Sequence, residues 1–205
     1  MVRLLSPAYF LNSTTQSTYT RRLHSSARLL SSITKINMQQ IATADLCDDH
    51  MSSPERLKVV EPGLFRMYGK KKNFHGPIET VKCFESNPLV RETLSSPGGG
   101  RVLVVDGGGS KRCAIMGDML ARFGAENGWN GVVINGYIRD SKIINGIDIG
   151  VKALGTHPLK SLKAYRGEKG VQVNFGGVEF VPGHYIYSDE DGIIVSETRL
   201  ELNEE

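Results

Sequence analysis

Arg101-Val102-Leu103-Val104-Val105-Asp106 is a continuous β-branched run that stops at Gly107-Gly108-Gly109. That is the pattern of a short strand buried on both faces. From Arg112 to Phe123 the apolar residues recur at helical spacing, and Gly131-Val132-Val133-Ile134-Asn135 reads as a second buried strand. Strand, helix and strand within about forty residues predict a βαβ crossover and a locally parallel sheet. Upstream, Thr43-Ala44-Asp45-Leu46-Cys47-Asp48 reads as a helix start, with the Thr43 hydroxyl available to cap a first-turn amide and the helix ending near Met51. Val81 to Phe84 predicts a short strand. Asn87 to Leu94 predicts a short helix ended by Ser95-Ser96-Pro97-Gly98-Gly99-Gly100. Downstream, Ile147 to Ala153, Val171 to Asn174, Val178 to Val181, His184 to Ser188 and Gly192 to Ser196 are short strands between Gly, Pro and Asp turns. They predict an antiparallel or barrel-like half, so the expected class is α/β with a mixed, partly barrel-like sheet.

Composition changes this picture at one end. Residues 1–37 are rich in Ser, Thr and Arg, contain no Asp or Glu, and include Arg21-Arg22-Leu23-His24-Ser25-Ser26-Ala27-Arg28. Such a segment reads as a transit-like extension outside the fold, with one α/β domain over residues 38–205. Mitochondrial localisation is then expected, and a cytoplasmic one if the segment does not target. The formal charge of +3 belongs to the extension: beyond residue 37 there are 20 basic against 22 acidic residues. The folded part therefore lacks the positive footprint of a nucleic-acid binder. No apolar run approaches the ~20 residues that span a bilayer, and no membrane association is expected. Cys47, Cys83 and Cys113 are odd in number and lack a C-x-x-C spacing, so they read as reduced packing residues. Lys70-Lys71-Lys72 reads as a solvated loop.

A strand running into three glycines invites a nucleotide reading, but Ser110-Lys111-Arg112 follows. Neither G-x-G-x-x-G nor G-K-[ST] is completed. The glycines instead point to close backbone approach and positive φ. The sharper constellation is Gly117-Asp118 and, after twenty intervening residues, Arg139-Asp140. In a βαβ unit these can converge at one sheet edge, where open α/β sheets bind ligands. Arg139 offers a two-donor fork for a carboxylate, Asp140 a hard oxygen ligand for Mg²⁺ or Mn²⁺, and Asp118 a holder for an activating water. The Met119 and Leu120 amides would bind a substrate carboxylate if they lie in a first helical turn. From spacing alone, the favoured reading is a surface ion pair at Arg139-Asp140 and a helix-face Asp118.

The strings Arg101 to Ser110, Gly117-Asp118, Gly131 to Ile134, Arg139-Asp140, Asp148 to Thr156, Asn174 to Val178 and Tyr187 to Ile193 resemble one family. It is that of regulator of ribonuclease activity A and 4-hydroxy-4-methyl-2-oxoglutarate aldolase, and the resemblance runs from Ala42 to Ser196. It implies an αββα sandwich assembled as trimers or hexamers, and a class II, metal-dependent aldolase releasing two pyruvates from a small 2-oxo acid. Oxaloacetate decarboxylation is the implied related activity. Carried over by position, Gly117, Asp118, Met119, Leu120 and Arg139 would contact substrate, Asp118 and Arg139 serving catalysis, and Asp140 would bind the divalent cation. The resemblance also implies an acidic group from a neighbouring subunit, for which Asp45, Asp191 and Glu197 are candidates.

Two other classes of function stand beside the enzyme. The same family implies a non-catalytic regulator that binds and inhibits a ribonuclease, although no signature of such a partner is legible here. A binding module with a vestigial pocket is the third. His157 and His184 read as turn residues without the i, i+4 partner of a metal pair, and Trp129 as a cover for the core.

Overall fold

The computed structural model describes residues 41–164 and 167–200; the transit-like segment lies outside them. Its centre is the parallel unit that the β-branched runs predict. Strand β3 (Phe74–Lys82), β4 (Val102–Asp106), β6 (Gly131–Ile138) and β7 (Gly150–Thr156) lie side by side, all parallel. Strand β2 (Arg66–Tyr68) closes one edge antiparallel to β7. On the other flank, β11 (Tyr185–Ser188) and β12 (Ile193–Ser196) continue the sheet antiparallel from β3, and β1 (Lys58–Val59) ends it. Strand β8 (Glu168–Lys169) pairs with the end of β3, and β9 (Val173–Phe175) and β10 (Val178–Phe180) form a separate hairpin.

Side-chain alternation turns this curled sheet into four layers. Helix α2 (Pro88–Leu94) and α3 (Asp118–Glu126) cover one face, where Leu94, Leu120 and Ala121 pack on Val81, Leu103, Val105, Val132 and Ile134. The opposite faces of the same strands meet the second β layer, with Val102, Val104 and Val133 against Phe180, Ile186, Ile193 and Val195. Outside that layer, Tyr187 and Ile194 pack on Leu46 of helix α1 (Thr43–Asp49). Residues 186 and 187 thus serve opposite cores, as period-2 alternation requires. The order is helix, sheet, sheet, helix, the αββα arrangement that the family resemblance implies.

Phe74 shows how tightly the curl is built. Its ring lies over Gly131 and Gly150, which are register partners on β6 and β7. A Cβ at Gly131 would stand 2.2 Å from the ring and one at Gly150 1.9 Å from it. Two missing side chains form the slot that one large residue fills.

Several expected boundaries are corrected. The run from Arg112 to Phe123 is not one helix: Ala114–Met116 is strand β5 on β6, and α3 begins only at Asp118. Ala114, Ile115 and Met116 are all buried, so their all-apolar sequence suits a covered strand as well as a helix, and the open edge of β6 recruits it. Strand β3 starts at Phe74 rather than Val81. Pro77 sits where β3 leaves β11 and joins β4, so its missing N–H falls at a change of partner. Strand β7 begins at Gly150, not Ile147, and α1 ends at Asp49. Thr43 does not cap α1; it is inside the helix, and Asp189 accepts both its amide, at 2.6 Å, and its hydroxyl, at 2.7 Å.

Candidate active site

Gly117 joins β5 to α3 in extended backbone and is the N-cap residue of that helix, with no side chain closing the cap. The carbonyl of Gly117 accepts from Ala121, while the amides of Met119 and Leu120 belong to the first turn, whose N–H groups have no helical partner. Leu120 is buried and anchors the turn; Met119 is exposed beside it. One strand away, the Arg139 amide donates to the Met116 carbonyl at 2.9 Å, and so β6 delivers Arg139 and Asp140 directly to the turn.

Asp140 then reverses the chain. Its backbone is left-handed, φ 58° and ψ 32°, and its carbonyl receives the amides of Ile143 and Ile144 as the cap of helix α4 (Ser141–Ile144). A non-glycine residue pays strain in that region, and such strain collects at functional sites. The reversal turns the Asp140 carboxylate onto Gly117. A Cβ at Gly117 would lie 2.8 Å from Asp140 Oδ2 and 3.2 Å from Arg139 Nε, and those two atoms are themselves 3.2 Å apart. Glycine is needed here for space rather than for φ.

Gly117, Arg139 and Asp140 are therefore gathered at the carboxyl edge of the parallel strands, as the βαβ reading requires. Asp118 is adjacent, but its carboxylate faces Arg122 along α3 at 3.8 Å rather than Arg139. Among the described residues no three His, Cys, Asp or Glu side chains form a metal cage. A single exposed carboxylate suits a hard cation that keeps most of its water, as Mg²⁺ does. Asp45, Asp191 and Glu197 are all exposed, on α1, the β11–β12 turn and the end of β12; β3 and β4 separate β11 from β6.

The cysteines remain packing residues. Burial pushes the Cys83 thiol up to about 12 and also raises Cys47 and Cys113, the opposite of what a nucleophile needs. His157 Nδ1 accepts the Leu159 amide in its turn, and Trp129 is buried with its indole N–H on the Ser96 carbonyl. Gly108 and Gly109 have φ of 68° and 65°, and Gly107 and Gly109 both donate to the Asn135 carbonyl. The glycine run thus provides the turn and close approach expected of it. One unusual residue escaped sequence reasoning: Glu85, with φ 50°, since glutamate carries no signal for a left-handed backbone.

A family model described as RraA-like, Aldolase/RraA, matches residues 43–195. A protein of Aromatoleum aromaticum named "Putative 4-hydroxy-4-methyl-2-oxoglutarate aldolase" is 55% identical over 161 residues, 78% of this chain and 99% of its own. One of the same name from Dechloromonas aromatica is 56% identical over 155 residues, 75% and 94% of the two chains. Among solved structures, the RNA-processing inhibitor RraA of Thermus thermophilis superposes with a TM-score of 0.74 at 39% identity, covering 80% of this chain and 96% of its own. A Geobacillus kaustophilus protein titled S-adenosylmethionine: 2-dimethylmenaquinone methyltransferase gives 0.73 at 47% identity, covering 80% and 100%. The αββα layering and these matches agree: the chain belongs to the RraA-like, Aldolase/RraA family.

Proposed function

We propose that this chain is a divalent-metal-dependent carbon–carbon lyase that cleaves 4-hydroxy-4-methyl-2-oxoglutarate to two pyruvates and also decarboxylates oxaloacetate. The observation that carries the reading is the left-handed Asp140, whose carboxylate is turned onto Gly117 beside the Arg139 guanidinium. A 2-oxo acid brings a carboxylate and a keto oxygen on adjacent carbons. Arg139 grips the carboxylate through its planar fork, and the Met119 and Leu120 amides at the uncapped start of α3 supply further donors. Asp140 would hold Mg²⁺ or Mn²⁺. When bound, the cation supplies the Lewis acidity that carbon–carbon cleavage next to a ketone requires. Asp118, in its loose 3.8 Å pair with Arg122, retains acceptor capacity for the water that takes the hydroxyl proton.

The reading includes a homotrimer or hexamer in which a neighbour completes the site with Asp45, Asp191 or Glu197, and mitochondrial delivery by the basic segment before residue 38. No nucleic acid or membrane is part of it; among the described residues no helix is long and apolar enough to cross a membrane. The second reading, a regulator that binds and inhibits a ribonuclease, is favoured by the likeness to the Thermus inhibitor. A methyltransferase activity like that named for the Geobacillus protein has less support, because the Gly107-Gly108-Gly109 turn closes on Asn135 rather than opening a nucleotide cradle.

The test is pyruvate release from oxaloacetate and from 4-hydroxy-4-methyl-2-oxoglutarate with Mg²⁺, repeated with excess EDTA. Release that EDTA abolishes is expected. A folded protein that releases pyruvate from neither substrate would leave the regulator as the better reading.

A further inference from the structure

A pocket of about 420 Å³ opens at the carboxyl ends of β3 and β4, lined by Lys82, Cys83, Phe84, Asp106, Gly108 and Glu168. It includes none of the residues at the Gly117-Asp140 corner. Three of its side chains form a row set by strand register: Glu168 is opposite Lys82 on β8 and β3, and Lys82 is opposite Asp106 on β3 and β4. Directly paired residues project from the same face, so the signs alternate, minus, plus, minus, at about the 4.8 Å spacing of strands. Among the described residues, Lys82 closes an ion pair with neither carboxylate. Asp106 Oδ1 receives the Gly108 amide at 3.0 Å and Asn135 Nδ2 at 2.9 Å, which fixes the carboxylate and leaves its second oxygen for a ligand.

The apolar wall is held as firmly. Phe84 is half exposed, yet a Cβ at Gly108 would stand 2.9 Å from its ring, and the Arg112 guanidinium lies 6.0 Å over it. Arg112 is fixed in turn by Glu85, with Nε at 2.6 Å and Nη2 at 2.9 Å, and Ser110 donates to the same carboxylate. Glu85 and Asp140 are the two non-glycine residues with positive φ among those described. Strain of this kind persists where the surroundings over-determine it, commonly at ligand clamps. One such residue marks the candidate active site; the other sits behind the Phe84 wall.

We infer that this pocket binds a small zwitterion, an α-amino acid with an apolar side chain: carboxylate on Lys82, ammonium on the Glu168 that flanks it, side chain against Phe84, with Asp106 on the far side of Lys82. A simple anion would face two carboxylates, and a simple cation would face the lysine. A ligand that carries both charges on groups attached to one carbon matches the row. Its volume is in the range of small-molecule sites.

The inference is independent of the lyase reading and is tested by binding to the full chain. Calorimetric titration with leucine is compared with 4-methylpentanoate and isoamylamine, its two singly charged halves. Leucine is expected to bind, and each half to bind at least about tenfold more weakly, the loss of one charge-assisted hydrogen bond. Lys82→Met and Glu168→Gln alter exposed side chains and should each weaken leucine by a similar factor with the melting temperature unchanged; Asp140→Asn should leave leucine binding intact. Absence of binding by leucine, phenylalanine and valine at millimolar concentration would overturn the inference. So would 4-methylpentanoate binding as tightly as leucine, or leucine binding undiminished in Lys82→Met.

Discussion

Asp140 carries two burdens in one residue: a strained backbone and a carboxylate with a chemical task. Asn tolerates the left-handed region as well as Asp does and has nearly the same volume. Asp140→Asn is therefore expected to keep the melting temperature within a degree or two while metal-dependent pyruvate release disappears. A variant with full Mg²⁺-dependent turnover would remove Asp140 from the site. The spacing of Gly117-Asp118 and Arg139-Asp140 allowed these residues to meet at a βαβ edge, but it was the family resemblance that singled them out over a surface ion pair. What was not legible is the division of labour. Sequence could not show that Asp118 turns to Arg122, because an i, i+4 pair competes with a cross-strand one only in three dimensions. Nor could it show that Gly117 is glycine for the sake of a neighbour's oxygen.

At the scale of elements, the β-branched runs at 102–106 and 131–135 gave correct strands because burial on both faces leaves little choice of residue. The errors fell where the local pattern has two solutions. Ala114-Ile115-Met116 is apolar throughout and became a strand because β6 outruns β4 and leaves an edge to fill. Phe74 to Thr80 went unread because Gly76 and Pro77 interrupt its pattern, whereas a Cβ at Gly76 would stand 2.1 Å from the Gly100 carbonyl oxygen and Pro77 falls at a change of strand partner. The Phe74 slot makes such coupling measurable. Gly150→Ala forces a methyl into the ring and is expected to cost about 1–3 kcal/mol in denaturant unfolding. Phe74→Leu in the same chain should recover part of that loss, so that the double variant is less destabilised than the sum of the singles. Strict additivity would mean that the ring and the glycine do not share the slot.

For the whole molecule, the contact between Asp189 and Thr43 matters most, since it ties the first described helix to the last hairpin. Asp189 Oδ1 also receives the amides of Asp191 and Gly192. Burial alone would push this carboxyl up, but the bonds from Thr43, Gly192 and Asp191 together hold it below its usual value. A depressed folded pKa contributes stability that is present above the unfolded pKa of about 3.9 and is lost as pH falls through the folded one. The melting temperature should thus hold from neutral to mildly acid solution and drop below about pH 4. Asp189→Asn, which sets a donor against the Thr43 amide, should cost about 1–2 kcal/mol at neutral pH, with the gap to the wild type narrowing in acid. A gap independent of pH would place the acid sensitivity elsewhere. The same bond also orders events in time. The partners are 146 residues apart, so a ribosome adding about 5–20 residues per second exposes Thr43 roughly 7–30 s before Asp189 emerges. During that interval α1 has neither its carboxylate nor the Tyr187 and Ile194 surface that covers Leu46, and the nascent chain must carry this helix unfinished until the β11–β12 hairpin arrives.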